Sequence, residues 1–141
     1  MGLAASIDII LKDKLDMSFF TKVIFDKNWS YNDNSEINYI ELNELDFDWV
    51  SKPINLFESV MKEISEKMEL KQDIGLVIIH NKSHIGGQLI YFIGDNTISF
   101  NLNINRKTIE ESNKTCFEWY LKNYGGLFEH YGILKIDCIE F

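Results

Sequence analysis

The residue types most able to do chemistry in this chain are carboxylates crowded into one segment. Between Asn28 and Ser51 there is neither Lys nor Arg. The acids of this window are Asp33, Glu36, Glu41, Glu44, Asp46 and Asp48, and the aromatic residues among them are Tyr39, Phe47 and Trp49. A fixed array of carboxylates framed by large apolar side chains suits the capture of a basic protein surface. The sequence therefore predicts a protein-binding site in this segment.

The segment from Ile37 to Val50 has the alternation of a strand, but its phase breaks halfway. The apolar residues are Ile40 and Leu42 at even positions, then Leu45, Phe47 and Trp49 at odd ones. A regular strand would turn half of these outward, so we expect a β-bulge near Asn43 and Glu44, where one extra residue resets the alternation.

Such a bulge would place Glu41 on the same polar face as Asp46 and Asp48. The predicted partner-binding residues are Glu41, Glu44, Asp46, Asp48 and Trp49. For Trp49 and Phe47 two interpretations stay open, because large aromatic residues of a strand serve as core residues at least as often as they anchor a partner.

Residues for catalysis or metal binding are sparse. His80 and His84 flank a loop and His130 lies about fifty residues away, which does not match the spacing of a zinc or iron site. Cys116 and Cys138 are not part of a Cys-x-x-Cys pair, so we expect both to be reduced packing residues. We predict no catalytic residue, no metal and no cofactor.

Two other classes of function remain as alternatives. A small ligand-binding or enzymatic domain would need a pocket of buried polar side chains, for which the candidates are His80, His84, Tyr91 and Trp119. A structural subunit of an assembly would expose an apolar patch, and the turn from Leu127 to Tyr131 is the candidate.

Length and charge narrow these choices. The chain has 141 residues, of which 45% are hydrophobic, and it contains a single proline and no linker-like tract, so we expect one domain. Its net charge of -8 opposes binding to phosphate backbones and anionic membranes and favours basic partners. No apolar run is long enough to span a bilayer, and we expect a cytoplasmic protein. The start Gly2-Leu3-Ala4-Ala5-Ser6 fits a myristoylation pattern, but no basic patch follows that would make such an anchor stable.

The pattern of the chain predicts an α+β fold with a mostly antiparallel sheet of five or six strands and three helices. Strands are expected at residues 7–11, 37–50, 76–80, 88–93, 97–106 and 133–141, and helices at 17–28, from Pro53 to Met68, and from a capping box at Thr108 and Glu111 to Tyr124. In the 97–106 strand, Asn101, Asn103 and Asn105 would share one polar face, which we interpret as either solvent-exposed surface or a binding surface.

One stretch of the carboxy-terminal half resembles a known kind of protein. Ile98-Ser99-Phe100-Asn101-Leu102-Asn103-Ile104-Asn105-Arg106-Lys107, followed by Cys116-Phe117-Glu118-Trp119-Tyr120-Leu121, is similar to a strand-then-helix unit of bacterial immunity proteins. These proteins belong to contact-dependent inhibition and other polymorphic toxin systems. The resemblance implies tight binding of a cognate toxin, often a basic nuclease, to cover its active site or substrate path.

Overall fold

The computed structural model describes residues 4 to 141 and gives an α+β fold built on one antiparallel sheet of eight strands. The predicted class is confirmed. The strands are β1 (Ala5–Leu11), β2 (Trp29–Ser30), β3 (Glu36–Ile40), β4 (Trp49–Pro53), β5 (Ile74–His80), β6 (Gly86–Phe92), β7 (Thr97–Ile104) and β8 (Ile133–Glu140). The α-helices are α1 (Ile24–Asp26), α2 (Phe57–Glu69) and α3 (Phe117–Asn123). Gly2 of the myristoylation pattern lies outside the described residues.

The strands follow the order β4-β3-β5-β6-β7-β1-β8, and β2 pairs with β5 alongside β3. The predicted meander from β5 to β7 is present, since β6 pairs antiparallel with both. In β7 the alternation works as expected: Ile98, Phe100 and Leu102 are buried. The carboxy-terminal strand β8 lies at one edge and pairs with β1.

The helices cover one face of the sheet, and the core lies between them. Val60, Met61 and Ile64 of α2 belong to the same buried cluster as Ile7 and Ile9 of β1, as the spacing of the apolar residues in each element predicts. Buried side chains of the opposite face, including Ile40, Val77 and Ile79, are not part of this cluster. We call that opposite side of the sheet the helix-free face.

The counts differ from the expectation. There are eight strands instead of five or six, because the 37–50 segment forms two strands and β2 adds a short one. Helical segments also exceed three, since a π-helical turn (Phe19–Val23) precedes α1 and 3-10 turns (Ile54–Leu56 and Gly125–Tyr131) lie beside α2 and α3. Among residues 4 to 141, no helix combines the length and apolar character needed to cross a membrane.

The prediction that a helix starts at Thr108 is wrong for its first turns. Thr108 instead forms an isolated bridge with Thr115 across a loop. The Arg106 guanidinium donates to the Thr115 hydroxyl at 2.6 Å and to the carbonyl oxygen of Asn113 at 2.9 Å. These tertiary contacts override the local capping signal, and the helix begins only at Phe117.

Pro53 and the carboxy-terminal turn also differ from expectation. Pro53 ends β4 and precedes a 3-10 turn, so α2 begins four residues later, at Phe57. Leu127, Phe128 and Tyr131 are at most 4% exposed and belong to the core, so this turn does not form the apolar patch that a structural subunit would present.

Candidate functional site

The acidic segment forms a hairpin loop rather than a bulged strand. β3 ends at Ile40, β4 begins at Trp49, and the two strands pair antiparallel with these residues opposite each other. We call residues 41–48 the acidic loop. The phase break in the sequence marks this reversal of the chain, so the predicted bulge near Asn43 and Glu44 is wrong.

The backbone of the acidic loop is shaped by two left-handed residues and by local hydrogen bonds. Asn43 has φ 66° and Phe47 has φ 58°. The Glu44 amide donates to the carbonyl oxygen of Glu41 at 3.2 Å, and the Glu44 carboxylate accepts from the Asp46 amide at 2.7 Å. Asn accepts a left-handed conformation at little cost, whereas an aromatic residue does not, so contacts elsewhere must hold Phe47 in place.

A buried lysine of α2 fixes the start of the acidic loop. The side chain of Lys67 is fully buried, and its ammonium donates to the carbonyl oxygens of Ile40 at 3.0 Å and Glu41 at 3.1 Å. Burial lowers the pKa of Lys67, and the negative charges of Asp73, Glu63 and Glu44 oppose that shift. The ammonium therefore supplies a hydrogen-bond donor to one carbonyl group at the end of β3 and to one at the start of the acidic loop.

Glu63 of α2 holds the same part of the chain from the side. Its carboxylate accepts hydrogen bonds from the Tyr39 hydroxyl, from the Leu42 amide at 3.3 Å and from the Lys52 ammonium at 3.2 Å. Burial opposes ionisation of Glu63, but these three donors outweigh it, so its pKa lies below the ordinary value. Burial, together with the hydrogen bond to Glu63, raises the pKa of Tyr39 to about 12.

Gln72, just after α2, makes a third contact with the loop. We call the contacts of Lys67, Glu63 and Gln72 the clamps of the acidic loop. The Asn43 amide nitrogen of the backbone donates to the side-chain oxygen of Gln72 at 2.8 Å, and the Gln72 side chain donates back to the Asn43 side chain at 2.8 Å. With Lys67 and Glu63, the first three residues of the acidic loop are bonded to one helix and its end. The carboxylates that follow therefore start from a fixed position.

The three aromatic residues predicted to frame the carboxylates, Tyr39, Phe47 and Trp49, have different positions. Tyr39 is fully buried and belongs to the core, and its hydroxyl donates to Glu63. Trp49 is half-buried on the helix-free face, over Gly75: a Cβ at Gly75 would lie 3.0 Å from the Trp49 ring and 2.4 Å from Ile40. The absence of a side chain at Gly75 thus leaves room for the Trp49 ring.

Phe47 reaches further across the helix-free face. Its ring centroid lies 6.1 Å from that of Phe92 in β6, and its side chain is 38% exposed. Leu45 is 74% exposed and is not one of the hydrophobic residues packed against the core cluster. The loop therefore folds over the helix-free face and displays two aromatic rings, each partly in contact with the sheet and partly with solvent.

The predicted carboxylates are brought together on this loop, but they are not equivalent. Glu41 lies 3.8 Å from the Lys52 ammonium and is partly neutralised by it. Within residues 4–141, Asp46 and Asp48 are exposed and form no ion pair within 4 Å. Glu44 is half-buried, and one of its carboxylate oxygens accepts a hydrogen bond from the Asp46 amide. The solvent-exposed negative charge of the acidic loop is therefore concentrated at Asp46 and Asp48.

The residues proposed for a small-molecule pocket do not come together. His80 and Trp119 are in contact, with ring centroids 5.3 Å apart, and burial lowers the pKa of His80. Tyr91 is opposite Ile74, at the other end of β5 from His80, and its hydroxyl bonds to Asn96. In the described part of the chain, no three or more His, Cys, Asp or Glu residues are grouped as metal ligands would be.

Two further sequence interpretations change. Asn101 and Asn103 are exposed on β7, but β7 ends at Ile104, and Asn105 turns to donate its side-chain amide to the carbonyl oxygen of His84 at 2.9 Å. The three asparagines thus do not form one continuous face. Both cysteines are free, yet neither is a core residue: Cys116 is half-buried just before α3 and Cys138 is exposed on β8.

Sequence reasoning missed the residues that hold the site. Lys67 follows Ile64 by three positions and Val60 by seven, so it lies on the buried stripe of α2, and a lysine at such a position is the signal that could have revealed it. Glu63 and Gln72 gave no comparable signal, because their partners are far away in sequence.

Comparisons with models of protein families, with curated proteins and with solved structures found no match to this chain.

Proposed function

We propose that this chain is an immunity protein: a binding module, without enzymatic activity of its own, that neutralises a cognate basic toxin in the cytoplasm. The toxin class that fits best is a nuclease. The proposal joins the resemblance of the 98–121 region to immunity proteins with the chemistry of the acidic loop.

The observation that carries the proposal is the clamped acidic loop. Lys67 and Gln72 bind its backbone, and Asp46 and Asp48 extend from it without an ion-pair partner among the described residues. A flexible acidic segment would lose conformational entropy when it bound. A loop that is already ordered avoids much of this cost, so its carboxylates favour both fast association and tight binding.

The two rings supply what carboxylates alone do not. Exposed ion pairs contribute little affinity in water, and binding energy is concentrated in a few large side chains that become fully desolvated. Phe47 and Trp49 border the carboxylates and still have surface to bury. Charge therefore guides the encounter, and the rings provide the contact that slows dissociation.

A nuclease is the natural counterpart of this surface. Enzymes that cleave RNA or DNA present Lys and Arg to bind phosphates, and these cations attract a carboxylate array equally well. Asp46 and Asp48 would occupy the positions of substrate phosphates. Neutralisation follows because nucleic acid cannot reach a cationic groove that is already filled.

The experiment is a growth-rescue selection with a matched control. Toxic nuclease domains from bacterial polymorphic toxin systems are co-expressed with the parent chain, with the Asp46→Lys/Asp48→Lys variant, or with Glu110→Lys/Glu111→Lys. Glu110 and Glu111 are exposed loop acids, so both variants change the net charge equally.

We expect the parent and the Glu110→Lys/Glu111→Lys control to rescue growth against one basic domain, and the Asp46→Lys/Asp48→Lys variant to fail while remaining folded. The domain that is neutralised should form a stoichiometric complex with the parent. Rescue by the loop variant at the parental level would mean that the acidic loop is not the binding site. Failure of the parent against every basic nuclease domain would remove the support for a nuclease target.

A further inference from the structure

The two edges of the sheet differ in how well they are protected. β4 is short, ends in Pro53, and its Lys52 folds back onto Glu63, features that hinder pairing with another strand. β8 has eight residues and no proline, and no described strand lies beyond it. An edge of this length is a template for a further strand.

The backbone of β8 has hydrogen-bonding groups directed away from the sheet. Ala4 and Phe141 exchange two hydrogen bonds of 2.8 Å, which makes them a hydrogen-bonded pair of the antiparallel ladder. Such pairs alternate along a strand, so Asp137 and Ile139 direct their backbone groups toward β1, and Ile136 and Cys138 direct theirs outward.

The side chains of β8 are unusually apolar for an exposed edge. Leu134 is 65% exposed, the highest value for a large hydrophobic residue in any described strand, and Ile139 is 39% exposed. Leu134 is the extra residue of a bulge opposite Leu11. Phe141, directly after β8, is 70% exposed. The edge strand and the residue after it therefore carry exposed apolar side chains that a further strand would partly cover.

Charges on the helix-free face limit which strand fits. Asp137 is directly opposite Asp8 of β1, and one oxygen of the Asp8 carboxylate is buried without a hydrogen-bond partner. Lys135, 3.4 Å from Asp137, is the one ammonium in an ion pair with either of them in the described structure. Among the described residues, Asp8 has no cation within 4 Å, so a further strand that brought a second ammonium to these two opposed carboxylates would be favoured.

We propose that β8 pairs antiparallel with β8 of a second copy of this chain, around a twofold axis at Ile136. This register matches the outward backbone groups of Ile136 with those of Ile136 of the partner subunit. It places Lys135 opposite Asp137 of the partner subunit, and by symmetry this ion pair occurs twice. Leu134 then lies opposite Cys138 of the partner subunit.

The neighbouring register is disfavoured by charge. A twofold axis at Asp137 would place this carboxylate against Asp137 of the partner subunit, next to the two Asp8 side chains. Directly opposed like charges destabilise a strand pair, whereas opposite charges stabilise it. The dimer also leaves the acidic loop accessible, because β4 lies at the far edge of the sheet. Each copy in the dimer can therefore bind its own toxin molecule.

The first test is a charge swap measured by sedimentation velocity over a concentration series. The parent should be a dimer. Lys135→Asp and Asp137→Lys should each weaken dimerisation by about tenfold, because each leaves two like-charged pairs across the axis. Lys135→Asp/Asp137→Lys should restore the parental dimer. Asp137→Lys also places an ammonium beside Asp8 of the same chain, which should preserve folding. If this variant is monomeric but fully folded, the loss of the dimer comes from lost strand pairing and not from unfolding.

The second test fixes the register by cross-linking, with Cys116 replaced by Ser throughout. Opposed residues of an antiparallel pair lie about 5.5 Å apart, within reach of a disulfide, so Leu134→Cys should be oxidised to a covalent dimer with Cys138. In the same register, Cys138 lies about 13 Å from Cys138 of the partner subunit. The Cys116→Ser protein that keeps Leu134 should therefore not cross-link.

Three results would overturn the proposal. One is a chain that stays monomeric throughout the concentration series. Another is a double charge swap that dimerises no better than either single variant. The third is efficient cross-linking through Cys138 alone, which would require a different register.

Discussion

The Lys67 ammonium lies 3.0 Å from the carbonyl oxygen of Ile40, fully buried at the point where β3 gives way to the acidic loop. A buried cation is costly unless hydrogen bonds and opposite charges compensate it. Here the compensation comes from the backbone of the loop and from nearby carboxylates. The segment that contains no basic residue of its own is thus held by one from α2.

Replacing Lys67 tests this relationship. Lys67→Met keeps most of the apolar side chain but leaves the Ile40 and Glu41 carbonyl groups without their donor, which should cost about 1 to 3 kcal/mol of the free energy of unfolding. We also expect faster amide hydrogen exchange in residues 41–48. The matched control is Lys62→Met on the exposed side of α2, which should change stability by less than about 0.5 kcal/mol. Equal effects of both variants would show that Lys67 does not hold the loop.

The pH dependence of stability should report on Glu63. Its pKa is lowered in the folded protein, so its stabilising contribution is complete above the ordinary glutamate value of 4.5 and is lost as the pH falls through the lowered value. Glu63→Gln should reduce stability by about 2 kcal/mol at neutral pH, because a charged acceptor of three hydrogen bonds becomes neutral.

The check is denaturant unfolding of both proteins at a series of pH values. The difference in unfolding free energy between parent and Glu63→Gln should shrink as the medium becomes acidic. A difference that is constant with pH would mean that the charge of Glu63 does not support the loop. Glu58→Gln, at an exposed position of the same helix, serves as control.

Trp49 is an intermediate case between a core residue and a contact residue. A fully buried Trp loses about 3 to 5 kcal/mol of stability on truncation to Ala, and a free surface residue loses almost nothing. Because Trp49 is half-buried over Gly75, Trp49→Ala should cost about 2 kcal/mol and also weaken partner binding. Denaturant unfolding measures the first effect without a partner. A loss as large as that of Trp29→Ala, which removes a fully buried ring, would assign Trp49 to the core alone.

Much of the fold follows from the sequence, because strand alternation and helix spacing depend on local patterns. β1, the β5 to β7 meander, α2 and β8 were all predictable in this way. The hairpin at residues 41–48 was not, since a bulge and a tight reversal both reset the phase of alternation. The first turns predicted from Thr108 failed because Arg106 organises that loop through contacts that no local pattern contains.

The candidate site divides in the same way. The acids were visible because a charge run needs no knowledge of the fold. The separation of Tyr39 from Trp49 was not, since these residues point to opposite faces of the sheet, and the alternation gave no sign of which face the helices cover. The clamps at Glu63 and Gln72 depend on contacts between residues more than twenty positions apart.

Capture of a basic partner by the acidic loop is the function that we propose for this protein. Its most direct test is the association rate constant with the toxin domain obtained from the growth-rescue selection, measured by stopped flow at low and at physiological ionic strength. Attraction between exposed charges is screened over about 8 Å at physiological salt, so the parental rate should fall steeply as salt is added. Asp46→Lys/Asp48→Lys should associate at least about tenfold more slowly at low salt, and Glu110→Lys/Glu111→Lys should remain close to the parent. A loop variant that associates at the parental rate at low salt would contradict this proposal, and a control that associates slowly would place the electrostatic attraction elsewhere on the protein.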